Sequence, residues 1–247
     1  MSRIKFLNTN IDNLTMEEAL ERIDELIKRG KPSYVVTPNV DHIVKLEKDV
    51  EFQEVYRNAD LILTDGMPLL WISKFKKNPI KEKVSGSDLF PKVCELAAQK
   101  GYKVFLLGAA EGIADKAALN LKNKYNGLNI IGTYSPSYGF ETKPEEIEYI
   151  IDKIRSTEPN ILAVGLGAPK QEKFIYKYID QLNVPISLAI GASIDFEAGN
   201  IKRAPKWMQK VGLEWFYRLT KEPKRMFKRY LVDDIKILKL IFKYNRA

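Results

Sequence analysis

Apolar residues follow two different periods along the chain. Met16, Leu20, Ile23 and Ile27 recur at helical spacing behind Thr15-Met16-Glu17-Glu18, whose Thr and Glu are spaced as a capping box, and Gly30 ends the run. Six other stretches are short and almost continuously apolar: Tyr34–Val36, Leu61–Thr64, Tyr102–Leu107, Leu128–Ile131, Ile161–Gly165 and Ile186–Ile190. Gly, Pro and Asn punctuate them, as expected of parallel strands buried on both faces. Between them the spacing predicts helices over 41–58, over 67–75, from Ser87 to Lys100, from about Gly112 to Tyr125, and from Lys170 to about Leu182. Thr142-Lys143-Pro144-Glu145 predicts a further helix opened by a second capping box. Strand and helix alternate at least five times, which predicts an α/β fold with a mainly parallel, Rossmann-like sheet covered by helices on both faces. The chain contains no internal repeat and no low-complexity segment.

In such a sheet a ligand lies beyond the carboxyl ends of the strands. The loops of interest are therefore Thr37–His42, Asp65–Pro68, Gly108–Gly112, Gly165–Gln171 and Gly191–Arg203. In Leu61-Ile62-Leu63-Thr64-Asp65-Gly66-Met67-Pro68 a buried strand ends in one carboxylate, Asp65, at the rim of the sheet. Taken alone, Asp-Gly after a strand reads as a turn. Thr37 and Asn39 also follow a strand directly, with side chains suited to sugar hydroxyls or an amide.

Charge adds a second region to this plan. Residues 200–247 hold 14 Lys and Arg against four acidic residues, whereas the preceding 199 hold 26 basic and 28 acidic groups. The net charge of +8 thus belongs to the last 48 residues, which predict an anionic partner. Ile235, Ile237, Leu238, Leu240, Ile241, Phe242 and Tyr244 interleave with Lys236, Lys239 and Lys243, the pattern of a basic amphipathic helix at an anionic membrane surface. Packing on the domain or on a second copy in a homo-oligomer is the alternative. A nucleic-acid surface ranks last, because bulky aliphatics outnumber stacking residues. The expected division is an α/β catalytic domain over 1–199 and a helical appendage over 200–247. No window approaches the ~18 uninterrupted apolar residues of a membrane span, and the N-terminus has no signal-peptide core. One cysteine and one histidine cannot build a Cys/His zinc cage. The expected location is cytoplasmic and peripheral to the membrane.

Missing motifs narrow the chemistry. No Gly-rich loop ends in Gly-Lys-Ser/Thr, which argues against a P-loop ATPase, and neither Gly108–Gly112 nor Gly165–Gly167 completes a dinucleotide fingerprint. No Asp-x-Asp stands on a strand-end loop; Asp195-Phe196-Glu197 comes nearest and reads as structural. A diphosphate substrate would then need cations from the chain itself, for which Lys83, Lys170, Arg203 and the basic tail are candidates. His42, without a second ligand nearby, reads as a hydrogen-bonded structural group.

Thr37-Pro38-Asn39-Val40-Asp41-His42, Thr64–Pro68, Val84-Ser85-Gly86-Ser87-Asp88, Gly165–Glu172, Asp195-Phe196-x-Ala198-Gly199 and Arg203-Ala204-Pro205, taken in order, resemble the WecG/TagA/CpsF family of bacterial glycosyltransferases. The resemblance runs from about residue 3 to about residue 230. It implies transfer of N-acetylmannosamine from its UDP donor to undecaprenyl-diphosphate-linked N-acetylglucosamine in wall teichoic acid synthesis, with inversion and without a metal or other cofactor. It further implies Asp65 as base, Thr37 and Asn39 as active-site polar groups, Gln171 near the donor, and Lys83 with Arg218 and Arg225 facing the leaving diphosphate. Two positions depart from the family pattern: Lys83, commonly arginine, loses a two-pronged contact, and Ala189 stands where glycine is frequent. A uronic-acid donor is the alternative within the family. Outside it stand a nicotinamide-dependent oxidoreductase and a nucleic-acid-binding module.

Overall fold

The computed structural model describes residues 3–221, 223–228, 230 and 233–244, with the side chains of Lys210 and Arg225 outside the description. Six parallel strands form the sheet: β3 (Tyr34–Val36), β4 (Leu61–Ile62), β5 (Lys103–Gly108), β6 (Asn129–Tyr134), β7 (Ile161–Gly165) and β8 (Ile186–Ala189). Their spatial order is β4-β3-β8-β7-β5-β6. Alternate residues face opposite layers, as strand geometry requires. Val36, Ile62, Phe105, Leu107 and Leu162 pack into one core, and Val35, Leu61, Val104, Leu106 and Ile161 into the other. The first core is covered by α2 (Val40–Leu46), α3 (Val50–Asn58), α4 (Met67–Phe75), α7 (Pro144–Thr157) and α8 (Lys170–Leu182). The second is covered by α1 (Met16–Arg29), α5 (Gly86–Lys100), α6 (Ile113–Lys124) and α9 (Ser193–Glu197). The expected two-faced parallel sheet is therefore the fold.

Local differences from the expectation have identifiable causes. A two-stranded antiparallel hairpin, β1 (Arg3–Phe6) and β2 (Thr9–Asp12), precedes α1 and was not expected. Arg3 grips Asp12 through two bonds of 3.0 and 2.8 Å, and Asp12 accepts the Ile62 N–H at 2.8 Å, so the hairpin is fastened to the end of β4. The helix expected over 41–58 is two helices, because Asp49 accepts the Phe52 N–H at 3.0 Å and caps a new start. Ser85, not Ser87, caps α5. The second capping box does not form: the Thr142 hydroxyl donates instead to Gly139 O at 2.8 Å.

After α9 the chain continues through α10 (Lys206–Lys210), α11 (Glu214–Lys221), α12 (Pro223–Lys228) and α13 (Ile237–Lys243). Ile237 and Leu240 are buried in the same core layer as Val36 and Ile43, whereas Ile235, Leu238 and Phe242 are exposed. The end of α13 is fastened by Lys243 to Glu47, by the Tyr244 hydroxyl to Glu47 at 3.1 Å, and by Lys76 Nζ to Tyr244 O at 2.6 Å.

The carboxyl ends of β5, β7 and β8 meet backbone to backbone. Gly108 has φ +124°, and a Cβ there would lie 2.4 Å from Gly165 O; a Cβ on Gly165 would lie 2.8 Å from Gly191 O. Both a forbidden φ and an unyielding carbonyl oppose a side chain at Gly108. Gly108→Ala should lower unfolding free energy by about 3 kcal/mol or more in urea titrations. A loss below about 1 kcal/mol would show that these strand ends separate readily.

Candidate active site

The pairing of β3 with β4 continues past the strands. Leu63 N–H donates to Val36 O at 2.9 Å and Asp65 N–H to Pro38 O at 2.8 Å, which sets the Asp65 and Asn39 loops side by side. Gly66, at φ +99°, then reverses the chain into α4, with Met67 and Pro68 in its first turn. Val84 N–H donates to Thr64 O at 2.8 Å and brings Lys83 to the same rim.

These loops and the returning tail enclose a cleft of about 470 Å³, lined among others by Asn39, Asp65, Lys83, Trp71, Glu214 and Arg218. Burial pushes the Asp65 carboxyl above the ordinary carboxylate range, opposed by the charges of Arg218 and Lys83 and reinforced by Glu214. Asp88 behaves in the opposite way. Its burial also acts upward, but Lys83 at 2.7 Å, Ser85 at 2.6 Å and Arg203 at 2.9 Å hold it below the ordinary range. Two nearby carboxylates are thus driven apart, Asp65 toward proton acceptance and Asp88 toward permanent charge.

The cations form one layered cluster. Lys83 pairs with Asp88, Arg203 with Asp88 and, at 3.7 Å, with Glu214, and Arg218 with Glu214 at 3.2 Å. Both guanidinium groups lie over the Phe196 ring, 5.7 Å from its centroid for Arg203 and 5.1 Å for Arg218. Arg218 and Lys83 reach the cleft; Arg203 stands behind them and also donates to Ser87 O at 3.2 Å.

The other expected residues are placed as follows. Thr37 is buried and donates to Ala189 O at 3.4 Å, joining the ends of β3 and β8 beneath the cleft rather than lining it. Asn39 lines the cleft while its Oδ1 caps α2. Gln171 is buried away from the cleft, where its Oε1 accepts N–H bonds from Gly167 at 3.2 Å and Gly191 at 3.1 Å. Lys170 pairs with Glu141 at 2.6 Å. The Arg225 side chain lies outside the described residues. Asp195 and Glu197 face different partners, Asn200 at 2.9 Å and Lys124 at 3.3 Å. Among the described residues no group of three or more His, Cys, Asp or Glu side chains is placed to share a metal ion.

Trp71, Asp88, Phe196 and Glu214 were not singled out from the sequence as site residues. A signal existed for two of them: Ser85-x-x-Asp88 has cap spacing, and Glu214 precedes Arg218 by one helical turn. Trp71 and Phe196 gain their meaning only from the return of the tail over α4 and α9.

A model of the family described as "Glycosyl transferase WecG/TagA/CpsF family" matches residues 4–247. The chain is 31% identical over 221 residues to the N-acetylglucosaminyldiphosphoundecaprenol N-acetyl-beta-D-mannosaminyltransferase of Bacillus spizizenii W23, covering 90% of this chain and 83% of that protein. A protein of the same name from Bacillus subtilis 168 is 30% identical over 228 residues, 92% of this chain and 85% of its own. One from Staphylococcus aureus MW2 is 26% identical over 227 residues, with 91% and 87% covered.

Proposed function

Because this chain belongs to the WecG/TagA/CpsF family of glycosyltransferases, we propose that it moves N-acetylmannosamine from UDP-N-acetylmannosamine to N-acetylglucosamine carried on undecaprenyl diphosphate, with inversion. The relatives' names supply the acceptor and the sugar; the UDP carrier and the stereochemistry are our extension. The observation that carries the mechanism is Asp65, its carboxyl raised by burial, in one cleft with Lys83 and Arg218.

The acceptor hydroxyl gives its proton to Asp65 while its oxygen attacks the anomeric carbon from the face opposite the leaving group. The bond from that carbon to the phosphate oxygen breaks, and UDP departs with the bonding pair. Lys83 and Arg218 meet the charge that grows on the diphosphate, with Arg203 supporting them from behind. Asn39 orients a sugar from the cleft wall. Thr37 and Gln171 act from below by holding the strand-end loops that carry these groups.

The acceptor's lipid also has a place to go. Trp71, Ile235 and Leu238 line the cleft and are exposed, and Phe75, on α4 with Trp71, and Phe242, on α13 with Leu238, are exposed as well. Joined to the basic excess of residues 200–247, this surface suits peripheral binding to an anionic membrane, with the tail acting as lid and anchor. No helix among the described residues is long and apolar enough to cross a membrane.

Purified protein given UDP-N-acetylmannosamine and a GlcNAc-diphosphate-lipid should yield disaccharide-lipid and UDP in the presence of a chelator. Activity abolished by chelation and restored by manganese would contradict the assignment of charge stabilisation to Lys83 and Arg218 alone. Turnover with the corresponding uronic-acid donor only would move the donor assignment.

A further inference from the structure

His42 and Glu172 come from helices 130 residues apart and meet in the interior, with His42 Nε2 3.2 Å from Glu172 Oε1. Both are buried. On the other side of the ring, Nδ1 lies 2.7 Å from Asn39 Oδ1. That amide oxygen also accepts the His42 backbone N–H at 3.3 Å, which fixes the orientation of the Asn39 amide. An amide oxygen only accepts, so the hydrogen in the 2.7 Å contact belongs to Nδ1. The Asn39 backbone N–H also points at Nδ1, at 3.4 Å, completing a capping box that only an unprotonated Nδ1 could accept; a ring that donates to Oδ1 at 2.7 Å keeps the much shorter bond and gives this one up.

With Nδ1 protonated, Nε2 faces a buried carboxylate. Two acceptors would repel each other there unless a second proton lay between them. Glu172 needs that proton: its Oε1 otherwise receives only the Gln171 amide at 2.8 Å, and its Oε2 has no hydrogen-bond partner among the described residues. A buried carboxylate so poorly served is costly as a lone anion. Phe52 and Tyr56 flank the imidazole, with ring centroids 5.9 and 6.4 Å away. Gln171 carries the chain onward to the backbone of Gly167 and Gly191.

We propose that His42 and Glu172 are positioning residues: a buried pair sharing one proton, which fixes His42 as an Nδ1–H donor to Asn39 and so aims Asn39 into the Asp65 cleft. The same bonds tie the Asn39 loop to the loops after β7 and β8. Its consequence for turnover rests on the glycosyl-transfer reading above, whereas the state of the imidazole does not.

The single histidine of the chain makes the first test unambiguous. In 15N-labelled wild-type protein at neutral pH, ring spectra should show hydrogen on Nδ1. A neutral ring with its hydrogen on Nε2 alone overturns the proposal whatever the activity. The second test is kinetic. Glu172→Ala and His42→Phe should each lower kcat/KM at least ~10-fold, and the double variant should be no worse than the worse single one. Glu172→Gln, whose amide still donates to Nε2, should keep a larger share of activity than Glu172→Ala. Losses that multiply in the double variant, or wild-type rates in either single one, would overturn the pairing. Should the alanine or phenylalanine variant fail to fold, the wild-type spectrum and Glu172→Gln still decide. If no glycosyl transfer is detected at all, the spectrum alone does.

Discussion

Asp65→Asn should remain folded and bind donor but turn over at least ~100-fold more slowly than wild type. The amide preserves size and leaves the backbone bond to Pro38 intact, yet it cannot take the acceptor's proton. The pH dependence follows from the same environment. Because burial raises the Asp65 carboxyl against the pull of Arg218 and Lys83, the rate of the wild type should rise with pH along a limb lying above the ordinary carboxylate range. The sign for stability is opposite to that for activity. An acid raised by folding is stabilised in its neutral form, so its ionised form costs stability at neutral pH, and this cost disappears as pH falls through the raised value. The Asp65→Asn variant carries no such charge. Its melting temperature should therefore equal or exceed that of the wild type at about pH 7.5, and the difference should shrink in acid. Unchanged turnover would remove Asp65 from the base role; a clearly lower melting temperature would make the carboxylate a structural group.

The placement of Asp65 was legible in the sequence because parallel strands buried on both faces are written as continuous apolar runs, and Leu61–Leu63 ends without ambiguity at a polar rim. Lys83 entered differently, as a cation that a diphosphate site without Asp-x-Asp would need and as a position of the family pattern; the Val84 bond to Thr64 O that brings it to the rim beside Asp65 has no local signal. The β1–β2 hairpin was not, because each strand has four residues and its fastening depends on Arg3 and Asp12 meeting β4. The choice of Ser85 over Ser87 turned on two plausible caps two residues apart. Gln171 illustrates a different limit. At a helix start beside a glycine-rich loop it resembles a ligand group, but its amide is consumed by Gly167, Gly191 and Glu172, and the last of these is placed by a histidine from another helix. Contacts of that range leave no local pattern.

The basic tail shows the same limit in its sharpest form, and Arg218 is the test of it. Composition marks residues 200–247 as cationic but does not say which cation reaches the cleft. The fold separates them: Arg203 is held behind by Asp88 and Ser87 O, while Arg218, paired with Glu214 and lying over the Phe196 face, lines the cleft with Lys83. Arg218→Ala should lower kcat by about 10²-fold, the scale of losing one preorganised charge at a leaving group. Arg218→Lys should recover part of the loss, since charge returns without the planar fork, and Arg203→Ala should cost less than Arg218→Ala. The substitution has a second effect that must be separated from the first. Arg218 is the largest charge opposing the burial of Asp65, so its removal should also move the acidic limb of the rate profile to higher pH. Measuring at the alkaline plateau, where Asp65 is ionised in both proteins, isolates the leaving-group contribution. A plateau rate equal to wild type, with only the limb displaced, would reduce Arg218 to a tuner of Asp65 and leave the diphosphate to Lys83.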